Sequence, residues 1–166
     1  MELKPLTLSK IDALIGLYPE PRSALMMVLH AIQEDRGYIA KEAIEWTAQR
    51  FKIQPIEVYE VVTFYPGYRQ TPTGKKHIKV CRTLSCALAG AYTVCDKLQE
   101  KLNCPLGGTS EDGEFTIEFV ECLASCGTAP VVMVDDALYE HVRPDTVDAF
   151  VSEHIQQPKE GGASHG

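Results

Sequence analysis

The chain has 166 residues, of which 45% are hydrophobic, and its formal net charge is -7. This length permits one ordinary domain, or a compact domain with a small helical addition, and the hydrophobic content excludes wholesale disorder. The acidic charge argues against nucleic-acid binding, which needs clustered Lys and Arg, and the longest basic stretch, residues 75–79, is short.

The sequence carries no signal for export or for insertion into a membrane. Its most apolar stretches are interrupted by charges within about ten residues, whereas a spanning helix needs about 20 apolar residues. The first residues lack the charged-then-apolar pattern of a signal peptide. We therefore expect a cytoplasmic protein whose link to a membrane would run through a partner.

Residues 1–64 are predicted to form an N-terminal helical bundle without strands. Pro21 suits a first helical turn, and apolar residues recur at helical spacing over residues 24–34. The same spacing continues over residues 41–51, and Pro55 can open a further helix.

The pattern changes after this region. Residues 65–76 are rich in Pro and Gly and are predicted to be a linker, and residues 77–155 have mixed α/β character. Residues 156–166 are polar and Gly-rich and are predicted to be a disordered tail. The mixed region is predicted to contain a strand at 77–80, a helix at 87–103, strands at 115–120, 131–134 and 138–142, and a last helix at 146–155.

This order of elements predicts an α+β protein. A helical bundle precedes a thioredoxin-like domain with the order β-α-β-β-β-α or β-α-β-β-α. A strand, a helix and a second strand imply a parallel crossover, and the next two strands are expected to form a hairpin.

Four of the six cysteines form two pairs. Four residues separate Cys81 from Cys86, three separate Cys122 from Cys126, and each pair follows a predicted strand. If the two strands are neighbours in one sheet, both pairs leave it at the same edge, and four thiolates converge from two loops. That is the geometry that a 2Fe–2S cluster needs, so these four cysteines are predicted to be its ligands.

The chemistry of such a cluster explains the residue types. Thiolates are soft and negative, and therefore match ferric iron and bridging sulfide. Four thiolates, two ferric ions and two sulfides sum to two negative charges, and reduction adds a third. We expect backbone N–H groups of the short loops, a helix that begins near Ala87, and the side chains of Lys79 and Arg82 to offset part of this charge.

Other interpretations of the cysteines remain open. A structural zinc site usually has more closely spaced pairs, disulfides are typical of secreted proteins, and buried cysteines can pack as small apolar residues. No C-x-x-C motif for thiol–disulfide exchange is present. Cys95 is predicted to be a core residue, and Cys104 a loop thiol or a partly exposed one.

With these motifs identified, the sequence resembles the thioredoxin-like 2Fe–2S subunit of respiratory NADH:quinone oxidoreductase, also called respiratory complex I. The resemblance covers roughly residues 20–155. The residues that carry it lie in the segments 33–39, 55–65, 74–78, 81–86 and 113–134.

The resemblance implies a thioredoxin-like ferredoxin with an N-terminal helical bundle. One 2Fe–2S cluster would be bound by Cys81, Cys86, Cys122 and Cys126. The family pairs with a larger subunit of the same complex, which holds FMN, the NADH site and another iron–sulfur cluster. This chain would then exchange single electrons with the flavin, at the cytoplasmic face of the membrane and as part of a complex.

Three positions carry expectations of their own. Ala124 and Ser125 stand where the family commonly has Gly and Ala, and Glu140 stands where it often has Gly. A residue other than Gly at position 124 restricts the backbone and could move an N–H group relative to a sulfur. The Ala129–Pro130 bond stands where thioredoxin-like folds often have a cis-proline before the hairpin strand, but the general rarity of cis peptides favours trans.

Three functions remain after the sequence is considered alone. The first is the electron-transfer subunit of an NADH:quinone oxidoreductase. The second is the equivalent subunit of an NAD-linked hydrogenase or formate dehydrogenase, and the third is a structural zinc-binding interaction domain. We find no G-x-G-x-x-G motif and no recognisable flavin site, so we expect no complete active site in this chain alone.

Overall fold

The structure is a computed structural model that describes residues 1–156. These residues form two compact units, with the boundary between Pro72 and Thr73. The predicted disordered tail lies outside the described residues, apart from Gln156. The helices are α1 (Pro5–Gly16), α2 (Leu25–Arg36), α3 (Lys41–Phe51), α4 (Pro55–Phe64), α5 (Leu84–Leu88), α6 (Ala91–Leu102) and α7 (Val147–Phe150), and the strands are β1 (Lys76–Cys81), β2 (Gly108–Thr109), β3 (Phe115–Val120), β4 (Val132–Val134) and β5 (Ala137–Tyr139).

The first unit is the predicted helical bundle, built from α1 to α4. Helix α1, which the sequence analysis did not locate, starts at Pro5 and fully buries Ile11. Helix α2 ends at Gly37 in the left-handed conformation, and α4 begins with a reciprocal capping box between Gln54 and Glu57. The apolar faces of the four helices meet in one core.

Part of the predicted linker belongs to this first unit. Tyr68 is buried, and its hydroxyl donates a hydrogen bond to the carbonyl of Met26 at 2.9 Å. The N–H of Ile39 donates to the carbonyl of Arg69 at 2.7 Å. Residue 76 already lies in β1. The domain boundaries drawn from the sequence, at residues 64 and 76, stay a prediction.

The second unit is built on a five-stranded sheet with the order β2-β3-β1-β4-β5. Strands β1 and β3 pair in parallel, as the predicted crossover requires, and β4 and β5 form the predicted antiparallel hairpin. Helix α6 packs its buried face, which includes Val94 and Leu98, into the core of this unit. Burial of each such side chain contributes roughly 1.5–3 kcal/mol to folding.

Several predicted elements need correction. The single helix over residues 87–103 is wrong, because the chain forms α5, turns at Gly90 with φ 99°, and then forms α6. A Cβ atom at position 90 would lie 3.1 Å from the side chain of Pro144, and a residue other than Gly would be strained at this positive φ. The sequence analysis placed no strand between residues 103 and 115 and so missed the short strand β2. The last helix continues from α7 into a π turn at Val151–Ile155.

The Ala129–Pro130 peptide bond is cis, so the prediction of a trans bond is wrong. That prediction used the average rarity of cis bonds, which neglects local contacts. Here hydrogen bonds hold the two carbonyls that follow the bond: that of Pro130 accepts from the N–H of Val142, and that of Val131 accepts from the N–H of Cys81.

Among residues 1–156, no helix is both long and apolar enough to cross a membrane.

Gly74 lies close to the backbone of another segment, and replacing it tests whether this contact stabilises the second unit. The N–H of Gly74 donates to the hydroxyl of Thr116 at 2.7 Å, and a Cβ atom at position 74 would lie 2.6 Å from the backbone of Phe115. Replacing Gly74 by Ala should therefore push the two segments apart. We expect the free energy of unfolding to fall by about 1–3 kcal/mol, measured by urea denaturation with circular dichroism.

The control is Gly67→Ala, because a Cβ atom at position 67 meets nothing within 4 Å. We expect this variant to stay within about 0.5 kcal/mol of the wild type or to gain slightly, since Ala reduces the freedom of the unfolded chain. Equal stability of the two variants would show that the contact between positions 74 and 115 does not constrain the unit.

Candidate metal centre

The two cysteine pairs follow two neighbouring parallel strands. Cys81 is the last residue of β1, and it lies opposite Val120, the last residue of β3. Cys122 follows two residues later. Because parallel strands end at the same edge of a sheet, the loops that carry both pairs start side by side.

The first pair is buried. Cys81 and Cys86 are each 2% exposed, and Cys86 lies within the short helix α5. The Thr83 hydroxyl, at the residue before that helix, is 3.2 Å from the Sγ atom of Cys81. Position 86 is therefore inside a helix, whereas the sequence analysis expected a helix that begins only near Ala87, after the cysteine.

The second pair is exposed. The Sγ atoms of Cys122 and Cys126 lie 4.0 Å apart, and both residues are accessible to solvent. Two thiolates on one tetrahedral metal ion, with metal–sulfur bonds of about 2.3 Å, stand about 3.8 Å apart. The backbone N–H of Ala124 donates to the sulfur of Cys122 at 3.3 Å.

Hydrogen bonds distribute negative charge unevenly over the buried pair. Burial acts to raise the pKa of Cys81, but hydrogen bonds from the Thr83 hydroxyl, the Leu123 N–H and the Thr83 N–H outweigh it, so this pKa is lowered. Burial raises the pKa of Cys86, and so does its hydrogen bond to Cys81, against the opposing effect of the Val131 N–H. Of the two buried thiols, Cys81 therefore loses its proton more readily than Cys86.

The two pairs are also close to each other. Leu123, in the second loop, donates its N–H to the sulfur of Cys81 in the first. The charge of Cys126 acts on Cys86 across the same space. Four sulfurs from two loops thus share one region that is lined by N–H donors.

The four thiols are arranged as two pairs at the ends of neighbouring strands. Within residues 1–156, no three His, Cys, Asp or Glu side chains are grouped closely enough to hold one metal ion. A Cys₄ zinc site needs all four sulfurs around one centre, whereas a 2Fe–2S cluster takes two thiolates on each of two irons. Two pairs of thiols with N–H donors near their sulfurs have the donor chemistry of the second arrangement.

The side chain of Arg82, expected to offset cluster charge, forms an ion pair. Its Nη2 atom lies 2.7 Å from a carboxylate oxygen of Glu121. These residues flank Cys81 and Cys122 respectively, so the pair ties the two loops together. The positive charge of Arg82 is therefore largely cancelled at its own position.

The remaining two cysteines lie in the core. Cys95 is fully buried on α6, as predicted, and burial with the nearby Asp96 raises its pKa to about 11. Cys104 lies in the loop after α6, as predicted, but the expected partial exposure is wrong, because the residue is 1% exposed. Its sulfur lies 3.5 Å and 3.4 Å from the carbonyl oxygens of Gly108 and Phe115, since the unforeseen strand β2 covers it.

The sequence analysis expected backbone N–H donors from the short cysteine loops, but it did not identify the individual residues that donate. Thr83 had a detectable signal, because a Thr just before a short helix is typical of an N-cap position. Leu123 and Val131 donate through the backbone, which any residue other than Pro could do, so nothing in their identity marks them.

Ala124 adopts a left-handed backbone conformation with φ 61°. This is the position where the resembling family commonly has Gly, and the structure shows why Gly would suit it: an L residue is strained at positive φ. The strained conformation directs the N–H of Ala124 to the sulfur of Cys122. The substitution is accommodated without loss of the donor.

Comparison with known proteins gives a family match. A family model described as thioredoxin-like [2Fe-2S] ferredoxin matches residues 11–154. Among solved structures, an NAD+-reducing [NiFe]-hydrogenase in the H2-reduced state aligns with a TM-score of 0.65 at 20% identity, over 81% of this chain and 22% of that chain. At this identity the likeness shows the fold alone.

Curated relatives are more similar in sequence, and three of them are NADH-quinone oxidoreductase subunits. Subunit 2 of the Thermus thermophilus enzyme is 46% identical over 118 residues, 71% of this chain and 65% of that protein. A subunit of the Mycobacterium tuberculosis enzyme is 34% identical over 158 residues, 92% of this chain and 63% of that protein. The Rhizobium meliloti relative is 34% identical, and the alignment covers 84% of that protein. The chain thus spans just under two thirds of the first two relatives and most of the third.

The strain at Ala124 leads to a prediction. Replacing Ala124 by Gly should raise the free energy of unfolding by up to about 1 kcal/mol. The reason is that an L residue in the left-handed region costs about 1–2 kcal/mol, partly offset by the greater freedom of Gly in the unfolded chain. Urea denaturation of the cluster-free chain measures this change.

A matched control is Ala89→Gly, because Ala89 has an ordinary φ of -81°. We expect that variant to lose about 0.5–1 kcal/mol. A loss of the same size in both variants would mean that residue 124 does not hold the left-handed conformation in solution.

Proposed function

We propose that this chain, which belongs to the thioredoxin-like [2Fe-2S] ferredoxin family, is the electron-transfer subunit of an NADH:quinone oxidoreductase. The family match and the relatives named as NADH-quinone oxidoreductase subunits confirm the family expected from the sequence. The observation that carries the proposal is the meeting of two thiol pairs at one edge of the sheet, with N–H donors on their sulfurs.

Cys81, Cys86, Cys122 and Cys126 would hold one 2Fe–2S cluster. When bound, the cluster supplies a one-electron couple at the surface of the second unit. The lowered pKa of Cys81 favours the deprotonated form that a metal ligand requires. The N–H groups of Leu123, Ala124 and Val131 offset negative charge on sulfur, and the buried pair keeps water from one side.

The partner would be the larger FMN- and NADH-binding subunit of the complex, with which this chain exchanges single electrons. The support is twofold: relatives carry NADH-quinone oxidoreductase names, and this chain lacks a dinucleotide motif of its own. The enzyme activity then belongs to the complex. The chain would reach a membrane indirectly, through other subunits of the peripheral arm at the cytoplasmic face.

The equivalent subunit of an NAD-linked hydrogenase or formate dehydrogenase is the second candidate. The hydrogenase structure aligns at 20% identity, which supports the shared fold and leaves function open. The relatives at 34–46% identity carry NADH-quinone oxidoreductase names, so we place that function first.

The first experiment is low-temperature EPR of the anaerobically purified, dithionite-reduced chain, with iron, acid-labile sulfide and zinc measured in the same sample. We expect about one unpaired spin per chain and two irons per chain, because a 2Fe–2S cluster accepts one electron. Cys81→Ala and Cys122→Ala should each abolish the signal.

Cys95→Ala and Cys104→Ala are the matched controls, since both remove a buried thiol outside the two pairs. They should keep the signal and the iron content. Zinc in place of iron, with no signal on reduction, would contradict the proposal and favour a structural zinc domain.

A second experiment identifies the complex. The chain is tagged in its own host and purified with bound proteins under mild detergent. We expect FMN to co-purify, and the preparation to oxidise NADH with a quinone acceptor. Oxidation of hydrogen or formate coupled to NAD+ reduction, without quinone reduction, would instead assign the chain to the second class of enzyme.

A further inference from the structure

Glu140 lies beside the second cysteine loop, although it follows β5 in another part of the chain. The hydroxyl of Thr128 donates to its Oε1 atom at 2.6 Å, and the hydroxyl of Ser125 donates to the same oxygen. The two hydroxyl oxygens lie 2.8 Å apart. A carboxylate and two hydroxyls therefore form one closed cluster, which we call the Glu140 network.

This network is attached to the loop that carries the exposed thiols. Ser125 is the residue immediately before Cys126, and Thr128 ends the 3₁₀ turn that begins at Cys126. Backbone contacts support the same junction, since the N–H of His141 donates to the carbonyl of Thr128 at 2.8 Å. The side chain of Glu140 thus ties the loop around Cys126 to the β4–β5 hairpin.

The carboxylate keeps its charge in this position. Hydrogen bonds from Ser125 and then Thr128 lower the pKa of Glu140, so it is ionised at neutral pH. The two hydroxyl groups donate hydrogen bonds to this oxygen, but because they are neutral they do not cancel the negative charge of the carboxylate. Glu121, the other carboxylate next to the site, is different, because Arg82 forms an ion pair with it at 2.7 Å.

We propose that Glu140 is a positioning residue that fixes the loop of Cys126 through Ser125 and Thr128, and that its charge sets the reduction potential of the bound cluster lower than it would otherwise be. A fixed negative charge near a redox centre opposes the addition of an electron, and net charge around a cluster is one of the factors that set its potential. This inference rests on the proposed 2Fe–2S function.

The test is an EPR-monitored redox titration of the full-length chain with its cluster, at neutral pH. Glu140→Gln keeps an oxygen that accepts hydroxyl hydrogen bonds and removes the charge. We expect its reduction potential to be more positive than that of the wild type. The difference should shrink as ionic strength rises, because exposed charges are screened.

The matched control is Glu111→Gln, which removes an exposed carboxylate elsewhere in the same unit. It should leave the potential unchanged. An unchanged potential in Glu140→Gln, or an equal shift in Glu111→Gln, would overturn the electrostatic part of the inference.

The positioning part has a readout that needs no cluster. In the cluster-free chain, Glu140→Ala should speed hydrogen exchange of the amides of residues 123–128, and Glu140→Gln should restore slow exchange. Equal exchange in all three proteins would overturn this part. A wild-type chain that takes up no iron would instead refute the proposed function, which distinguishes that failure from failure of the role of Glu140.

Discussion

The parallel pairing of β1 with β3 is the constraint on which the site depends. It aligns the end of β1 at Cys81 with the end of β3 at Val120, and so starts both cysteine loops at one edge of the sheet. A shift of register by one residue would move one pair relative to the other and turn the strand's side chains to the opposite face. The long crossover through α5 and α6 makes this parallel pairing possible and also contributes Cys86.

Hydrogen bonds then connect parts of the chain that are far apart in sequence. Cys81 receives an N–H from Leu123, and Cys86 receives one from Val131. The ion pair between Arg82 and Glu121 adds a link between the same loops. The positions of the sulfurs are therefore set by tertiary structure, as a site that must change charge without rearranging requires.

The sequence predicted those features that depend on residue type and periodicity. Helices α2 to α4, strand β3 and the β4–β5 hairpin follow from apolar spacing and turn residues, and the thiol pairs from their spacing after strands. It did not predict the break at Gly90, because a Gly within a helical pattern is often tolerated. Nor did it predict β2, which is only two residues long, or the burial of Cys104 beneath it. The hydrogen bond between Ser125 and Glu140 was not predicted either. These residues are far apart in sequence, and only the fold brings them together.

The difference in burial between the two thiol pairs makes the site one-sided. Cys81 and Cys86 lie in the core, whereas Cys122 and Cys126 face solvent. Any molecule that approaches from outside, whether it delivers iron and sulfide or a chelator that removes them, meets the outer pair first. Exchange with the inner pair requires the chain around it to open. The exposed pair is therefore the accessible side of the site and the buried pair its inner side, so that ligand exchange begins at the exposed pair.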